Sequence, residues 1–153
     1  MFKLLANTNQ PLKFYIFKVY LLALCIGLPI AFLLDFLFPN AESPDFEVGL
    51  SSFIVIVFFA PIFETLLMIP IISLIRKVTP NILYISIISG FIWAIMHSLQ
   101  VPLWGFGVFT LFFLMTMAYQ YWDAHSRNHA LLVVMMIHAL NNATVILLVA
   151  FES

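Results

Sequence analysis

Five apolar stretches, each long enough to cross a lipid bilayer, account for most of this 153-residue chain. They occupy residues 14–34, 50–75, 82–100, 103–122 and 130–150. A membrane-spanning helix needs about 20 apolar residues, and each stretch comes close to or exceeds that length. Because 64% of the residues are apolar and only 8% are charged, the composition excludes a water-soluble domain. The sequence therefore predicts an all-α, polytopic membrane protein with about five transmembrane helices in one bundle.

The remaining residues suffice only for short connections. We therefore expect a single transmembrane domain over residues 1–153, surrounded by the lipid bilayer. Residues 1–11 contain no apolar core followed by a small-residue cleavage site, so we expect the first span to remain as an uncleaved anchor. The net charge of −1 provides no electrostatic attraction for nucleic acid. The pattern leaves the oligomeric state open.

The positions of the charged residues favour one orientation. If the five spans are correct, all six basic residues fall on one side of the membrane, namely Lys3, Lys13, Lys18, Arg76, Lys77 and Arg127. The positive-inside rule assigns that side to the cytoplasm, so we expect a cytoplasmic N-terminus and an outer C-terminus. The loop after the first span then lies outside with its acids, Asp35, Glu42, Asp45 and Glu47. A compact chain of this kind is typical of a bacterial inner membrane.

One acid, Glu64, lies within a predicted span rather than in a loop. At about 1.5 Å per residue it lies about 16 Å from the inner end of its span and about 21 Å from the outer end. An ionisable side chain near the midplane is costly, and such residues usually face a cavity and have a function. The alternative is a protonated Glu64 that hydrogen-bonds a neighbouring helix. Pro61 and Pro70 flank it, and each lacks the backbone donor that keeps a helix regular.

Three polar residues in other spans are candidate partners for this acid. His97 lies near the outer end of the third span, while His138 and Asn142 lie four residues apart and share one face of the fifth. Each histidine alone could equally be an interhelical hydrogen-bonding group. Together with Glu64 they supply a base, a proton carrier and neutral donors, which amide hydrolysis requires. The depths of Glu64, His97 and His138, about 16, 22 and 12 Å, do not match, so tilts or kinks would have to align them.

At these positions the chain resembles a known family. The segments 60–64 (Ala-Pro-x-x-Glu), 93–97 (Trp-x-x-x-His) and 138–142 (His-x-x-x-Asn) are similar, in order and separation, to three motifs of the CPBP family. That family comprises the CAAX prenyl proteases and bacteriocin-processing enzymes, also called Abi proteins, and includes the Ras-converting enzyme. The resemblance covers about residues 50–150, and the ordered set of motifs is more specific than any one of them.

The resemblance implies a glutamic-type intramembrane endopeptidase that acts on a peptide or membrane-protein substrate without a cofactor. Glu64 and His97 match the family residues that activate a water molecule. His138 and Asn142 match the pair thought to stabilise the oxyanion. These four residues, Glu64, His97, His138 and Asn142, are therefore the candidate catalytic residues.

Two positions depart from the family's usual first motif, Glu-Glu-x-x-x-Arg. Thr65 replaces the second Glu, and Ile69 replaces the Arg. The Glu-Thr form is similar to a variant among bacterial members, but the lost charge pair leaves open a non-catalytic member that binds a peptide or serves as an immunity or complex subunit. A third alternative is a zinc site formed by Glu64, His97 and His138, although the His-Glu-x-x-His spacing is missing.

Further residues at the span ends have a structural interpretation. Four aromatic residues are predicted to be anchors in the headgroup zone, namely Trp104, Tyr119, Tyr121 and Trp122. Gly105 and Gly107 follow a proline turn without any phosphate-binding context, and we expect them to permit close helix packing.

Overall fold

The computed structural model describes residues 2–42, 44 and 49–152, and within them it contains helices but no strand. Asp45 and Glu47, two acids of the predicted outer loop, lie outside the described residues. The helices are α1 (Phe2–Ala6), α2 (Leu12–Leu37), α3 (Leu50–Ile75), α4 (Ile82–Ser98), α5 (Trp104–Asp123) and α6 (Arg127–Glu152). The all-α fold and the five long helices predicted from hydropathy are confirmed.

Side-chain caps mark the starts of two helices, α4 and α6. The Asn81 side chain accepts hydrogen bonds from the backbone of Leu83 and Tyr84 and begins α4. The Ser126 hydroxyl accepts from the backbone N–H of His129, and α6 begins at Arg127. Helix α6, which corresponds to the fifth predicted span, therefore starts three residues before the predicted Ala130, because its first turn is polar but still helical.

Three of the helices, α2, α3 and α6, are long and apolar enough to cross a membrane, and α4 is a shorter apolar helix. Helix α5 has 20 residues but is not one of the three helices apolar enough to be a candidate span. It contacts α1, α2, α4 and α6 and is buried along most of its length. A helix that faces other helices rather than lipid can carry more polar side chains if they are hydrogen-bonded. α5 is therefore the central helix of the bundle.

Polar contacts and small residues hold α4 against α5. The Thr116 hydroxyl donates to Ser89 Oγ at 3.0 Å, and Gln120 Nε2 donates to Ser86 Oγ at 3.1 Å. A Cβ added to Gly105 would collide with Ser98 Oγ and the Ala94 carbonyl oxygen of α4, whereas a Cβ on Gly107 would meet nothing within 4 Å. The prediction that these glycines permit close packing is confirmed for Gly105 and wrong for Gly107.

One end of the bundle collects several charged residues, and we call it the basic end. Arg76 at the end of α3 forms an ion pair with Asp123 at the end of α5, at 3.0 Å, and Arg127 at the start of α6 lies 3.5 Å from the same carboxylate. The Thr8 hydroxyl and His125 Nε2 are hydrogen-bonded at 2.9 Å, which joins the N-terminal segment to this end. The segments that bear the basic residues therefore lie together, as the positive-inside argument requires.

Two of the predicted interfacial anchors lie inside the protein instead. Tyr119 and Trp122 are buried, and the rings of Trp122 and Tyr15 meet edge to face with centroids 5.3 Å apart. Because α5 is surrounded by other helices, rings near its end pack against α2 rather than against headgroups. The anchor prediction is therefore wrong for Tyr119 and Trp122.

Candidate active site

A π-helical turn over Val55–Phe59 interrupts α3 before the chain reaches Glu64. Within this turn the N–H of Ala60 donates to the carbonyl oxygen of Val55, five residues earlier. The Asn142 amide nitrogen of α6 donates to the carbonyl oxygen of Ile56 at 2.9 Å. The predicted site residue Asn142 thus contacts the backbone of the helix that carries Glu64.

Glu64 faces α6 and lies next to His138. The Oε2 atom of Glu64 is 3.8 Å from Nε2 of His138, and the side chains are 21% and 4% exposed, respectively. Glu64 is eleven residues from Ile75, and His138 is eleven residues from Arg127, so both lie about 16 Å from the basic end at about 1.5 Å per residue. The predicted depth mismatch between these two residues therefore disappears, because α6 begins earlier than hydropathy indicated.

The ring of His97 is fixed from one side by its own helix. Its Nδ1 donates to the carbonyl oxygen of Trp93 at 2.8 Å, since a carbonyl can only accept. This bond leaves the lone pair on Nε2, the nitrogen free to accept a proton. The His97 side chain is buried, and its ring meets that of Trp104 edge to face with centroids 4.7 Å apart. Trp104, which was predicted to be a headgroup anchor, therefore lines the candidate site.

The side chain of Phe112 on α5 lies near both histidines. Its ring centroid is 5.4 Å from that of His138 and 6.0 Å from that of His97, and its ring stacks on Trp93 at 4.3 Å. Contacts through Phe112 and His138 therefore connect side chains of four helices, α3, α4, α5 and α6, at the candidate site.

The sequence reasoning did not single out Phe112. It is one of 17 phenylalanines, and nothing in its local pattern separates it from those that face lipid. The available signal was its position near the middle of α5, at about the depth of Glu64 and His138. That signal becomes useful only once α5 is known to be central.

Several buried polar atoms around this site have no hydrogen-bond partner among the described residues. They include Glu64 Oε2, Thr65 Oγ1, Trp93 Nε1 and His138 Nδ1. Buried polar groups are nearly always paired, so each of these atoms is available to a hydrogen bond from a bound water or substrate. The group mixes acceptors with donors, which suits a substrate amide. Within the described part of the chain, no three His, Cys, Asp or Glu side chains are grouped so as to hold a metal ion.

The two departures from the usual first motif, Thr65 and Ile69, place uncharged side chains in the same helix as Glu64. Thr65 is fully buried, and Ile69 is partly buried against the apolar core. The interior at position 65 therefore offers a hydroxyl that has no hydrogen-bond partner among the described residues.

A family model described as "Type II CAAX prenyl endopeptidase Rce1-like" matches residues 46–144, well over half of the chain. The matched range includes all four candidate catalytic residues, Glu64, His97, His138 and Asn142. No curated protein and no solved structure is a significant match to the chain.

Proposed function

Because the chain belongs to the Rce1-like family of type II CAAX prenyl endopeptidases, we propose that it is an intramembrane endopeptidase that hydrolyses a peptide bond in a membrane-embedded or membrane-proximal substrate. The CPBP resemblance drawn from the three sequence motifs is confirmed by this match, and the family is one of proteases. A single observation carries the mechanistic proposal. The Glu64 carboxylate lies 3.8 Å from the buried His138 imidazole, and the Phe112 ring lies near the rings of both His138 and His97.

In the proposed reaction, Glu64 acts as the general base and His97 holds the attacking water. The Nδ1–H of His97 is committed to the Trp93 carbonyl, so its Nε2 can accept a hydrogen bond from that water. The water transfers a proton to Glu64 as its oxygen bonds to the substrate carbonyl carbon, and the carbonyl electron pair moves onto oxygen. When the C–N bond breaks, the leaving amine takes the proton from Glu64.

His138 and Asn142 are proposed to stabilise the oxyanion. An imidazole N–H of His138 and the second N–H of the Asn142 amide, whose first N–H is bound to Ile56, would donate to it. Donors of this kind are worth about 3 kcal/mol each when they are preorganised in a water-excluded site. The burial of His138 and its packing against Phe112 support preorganisation.

The single transmembrane domain over residues 1–153 is proposed to lie in a bacterial inner membrane with its basic end in the cytoplasm. Arg76, Asp123 and Arg127 lie at that end, and the positive-inside rule assigns it to the inner side. The N-terminus would then be cytoplasmic and the C-terminus outside. Glu64 would lie near the bilayer midplane, at about 16 Å from the inner end. Substrate would therefore reach the site from within the membrane or along a helix interface.

The experiment that tests this proposal uses purified full-length protein in lipid nanodiscs and a farnesylated CAAX peptide, with its unprenylated form in parallel. We expect cleavage, detected by mass spectrometry, to be lost in Glu64→Gln while the protein accumulates normally. Asp35→Asn makes the same chemical change at an exposed position in α2 and is expected to leave cleavage intact. Cleavage retained in Glu64→Gln would contradict the mechanism, and failure of the unmodified protein to cleave either peptide would count against CAAX-type substrates.

A further inference from the structure

The π-helical turn of α3 leaves one backbone carbonyl without a helical donor. The N–H of Ala60 donates to the Val55 carbonyl rather than to the Ile56 carbonyl. In the same π-helical pattern, the donor to the Ile56 carbonyl would be the backbone nitrogen of residue 61. Residue 61 is proline, which has no N–H. Inside a membrane no bulk water can replace that donor, and an unpaired carbonyl there is costly.

The side chain of Asn142 supplies the missing hydrogen bond. Its Nδ2 atom donates to the Ile56 oxygen at 2.9 Å from the neighbouring helix α6. Asn142 lies one turn beyond His138 on the same face of α6, and Ile56 lies about two turns before Glu64 on α3. Two contacts therefore join the same pair of helices, one at the π turn and one at the acid.

The π turn determines where Glu64 points. An α-helix advances about 100° per residue, so the one extra residue that a π turn inserts rotates every later side chain by about that angle. Glu64 follows the turn closely, with only Ala60 to Phe63 between them. Its approach to His138 therefore depends on the turn being kept.

We propose that Asn142 is a positioning residue for Glu64. Its amide replaces the backbone donor that Pro61 lacks, stabilises the π turn and thereby directs the carboxylate towards His138. The effect on catalysis rests on the proposed function, whereas the effect on the direction of residue 64 does not. This role is separate from the donation to an oxyanion, which would use the other N–H of the same amide.

A double-mutant cycle on peptide cleavage tests the role of Pro61. Asn142→Leu removes the donor at similar volume, and Pro61→Ala restores a backbone N–H, so that the Ile56 carbonyl is served in either helical register. We expect the loss of kcat caused by Asn142→Leu to be about tenfold smaller in the Pro61→Ala protein than in the unmodified one. An equal loss in both proteins would overturn the proposal, because Asn142 would then act only on the substrate. Asn141→Leu alters the neighbouring amide, which faces another direction, and is the matched control.

Thiol crosslinking tests the same proposal without any protease activity. In a Cys25→Ser protein, Glu64→Cys and His138→Cys introduce two thiols at the facing positions, and a short bifunctional thiol reagent measures how readily they meet. We expect Asn142→Leu to slow crosslinking at least tenfold and Asn141→Leu to leave its rate unchanged. Crosslinking that Asn142→Leu does not affect would overturn the proposal. A protein that crosslinks as expected but cleaves no peptide would instead contradict the proposed function alone.

Discussion

The carboxylate of Glu64 and the imidazole of His138, which belong to different helices, lie 3.8 Å apart between Oε2 and Nε2. Because His138 is almost fully buried, its loss would leave the acid beside an apolar wall. We expect His138→Leu to reduce peptide cleavage at least about 100-fold while the protein still folds. The control is His129→Leu at the basic end of the same helix, where the side chain is exposed and we expect little change. Full activity in His138→Leu would remove this residue from the proposed mechanism.

The two ring nitrogens of His97 can be tested separately. Asn at position 97 can still donate to the Trp93 carbonyl in place of Nδ1 but has no group at the position of Nε2. We expect His97→Asn to retain an unfolding midpoint close to that of the unmodified protein and to lose about 100-fold or more in kcat/KM. His97→Gln, which reaches the Nε2 position but not the Trp93 carbonyl, should be the less stable of the two. Near-normal cleavage by His97→Asn would show that Nε2 takes no part in the reaction.

Gly105 and Gly107 make a matched pair for helix packing. A methyl group at Gly105 would collide with α4, whereas the same group at Gly107 has free space. We expect Gly105→Ala to destabilise the protein by about 1–3 kcal/mol, since overpacking forces the helices apart. Gly107→Ala should be neutral or slightly stabilising, because alanine loses less conformational entropy than glycine in a helix. Unfolding in detergent, followed by circular dichroism, measures both. Equal stability of the two variants would contradict the close packing of α4 on α5.

The Phe112 ring is expected to hold both imidazoles in place. Phe112→Leu keeps an apolar residue but removes the ring surface that His97 and His138 share. We expect a loss of about 1–2 kcal/mol in stability and a drop in kcat of about tenfold or more, since small displacements of catalytic groups are costly. Phe106→Leu, at an exposed position on the same helix, is the control. If the two variants had the same kcat, Phe112 would be an ordinary packing residue.

Chelation distinguishes the carboxylate mechanism from a zinc mechanism. Glu64 has a histidine beside it, but the described residues contain no three-ligand group for a metal. We expect cleavage by the purified protein to be unchanged by EDTA and by 1,10-phenanthroline. Activity that is lost to a chelator and restored by zinc would favour the metal-site alternative for Glu64, His97 and His138.

Hydropathy predicted which residues form helices, but not which faces of those helices pack against other helices. Residues 50–75 form a helix with the predicted bounds, because lipid-facing apolar residues dominate that stretch. The start of α6 was missed, since the Ser126 cap and the polar first turn carry no hydropathy signal. The burial of Tyr119 and Trp122 was missed for another reason. Distance from a span end does not reveal whether a ring faces lipid or protein.

The candidate site could be predicted as a set of residues but not as an arrangement. Spacing identified Glu64, His97, His138 and Asn142, because ionisable and amide groups are rare in apolar spans. The π turn could not be predicted, since it depends on a contact with Asn142 that is 86 residues distant from Ile56. Pro61 was the local signal, but a proline alone indicates only that a donor is missing and not what replaces it.

The central position of α5 has a consequence for how the protein enters the membrane. Its buried Thr116 and Gln120 bind partners on α4, and lipid offers them none. The turn that links α4 and α5 is short, and Gly105 allows the two helices to approach closely. The two helices can therefore insert into the bilayer together as a helical hairpin. Separated from each other in lipid, α4 and α5 would each carry unpaired polar side chains, so paired insertion would be less costly than insertion one helix at a time.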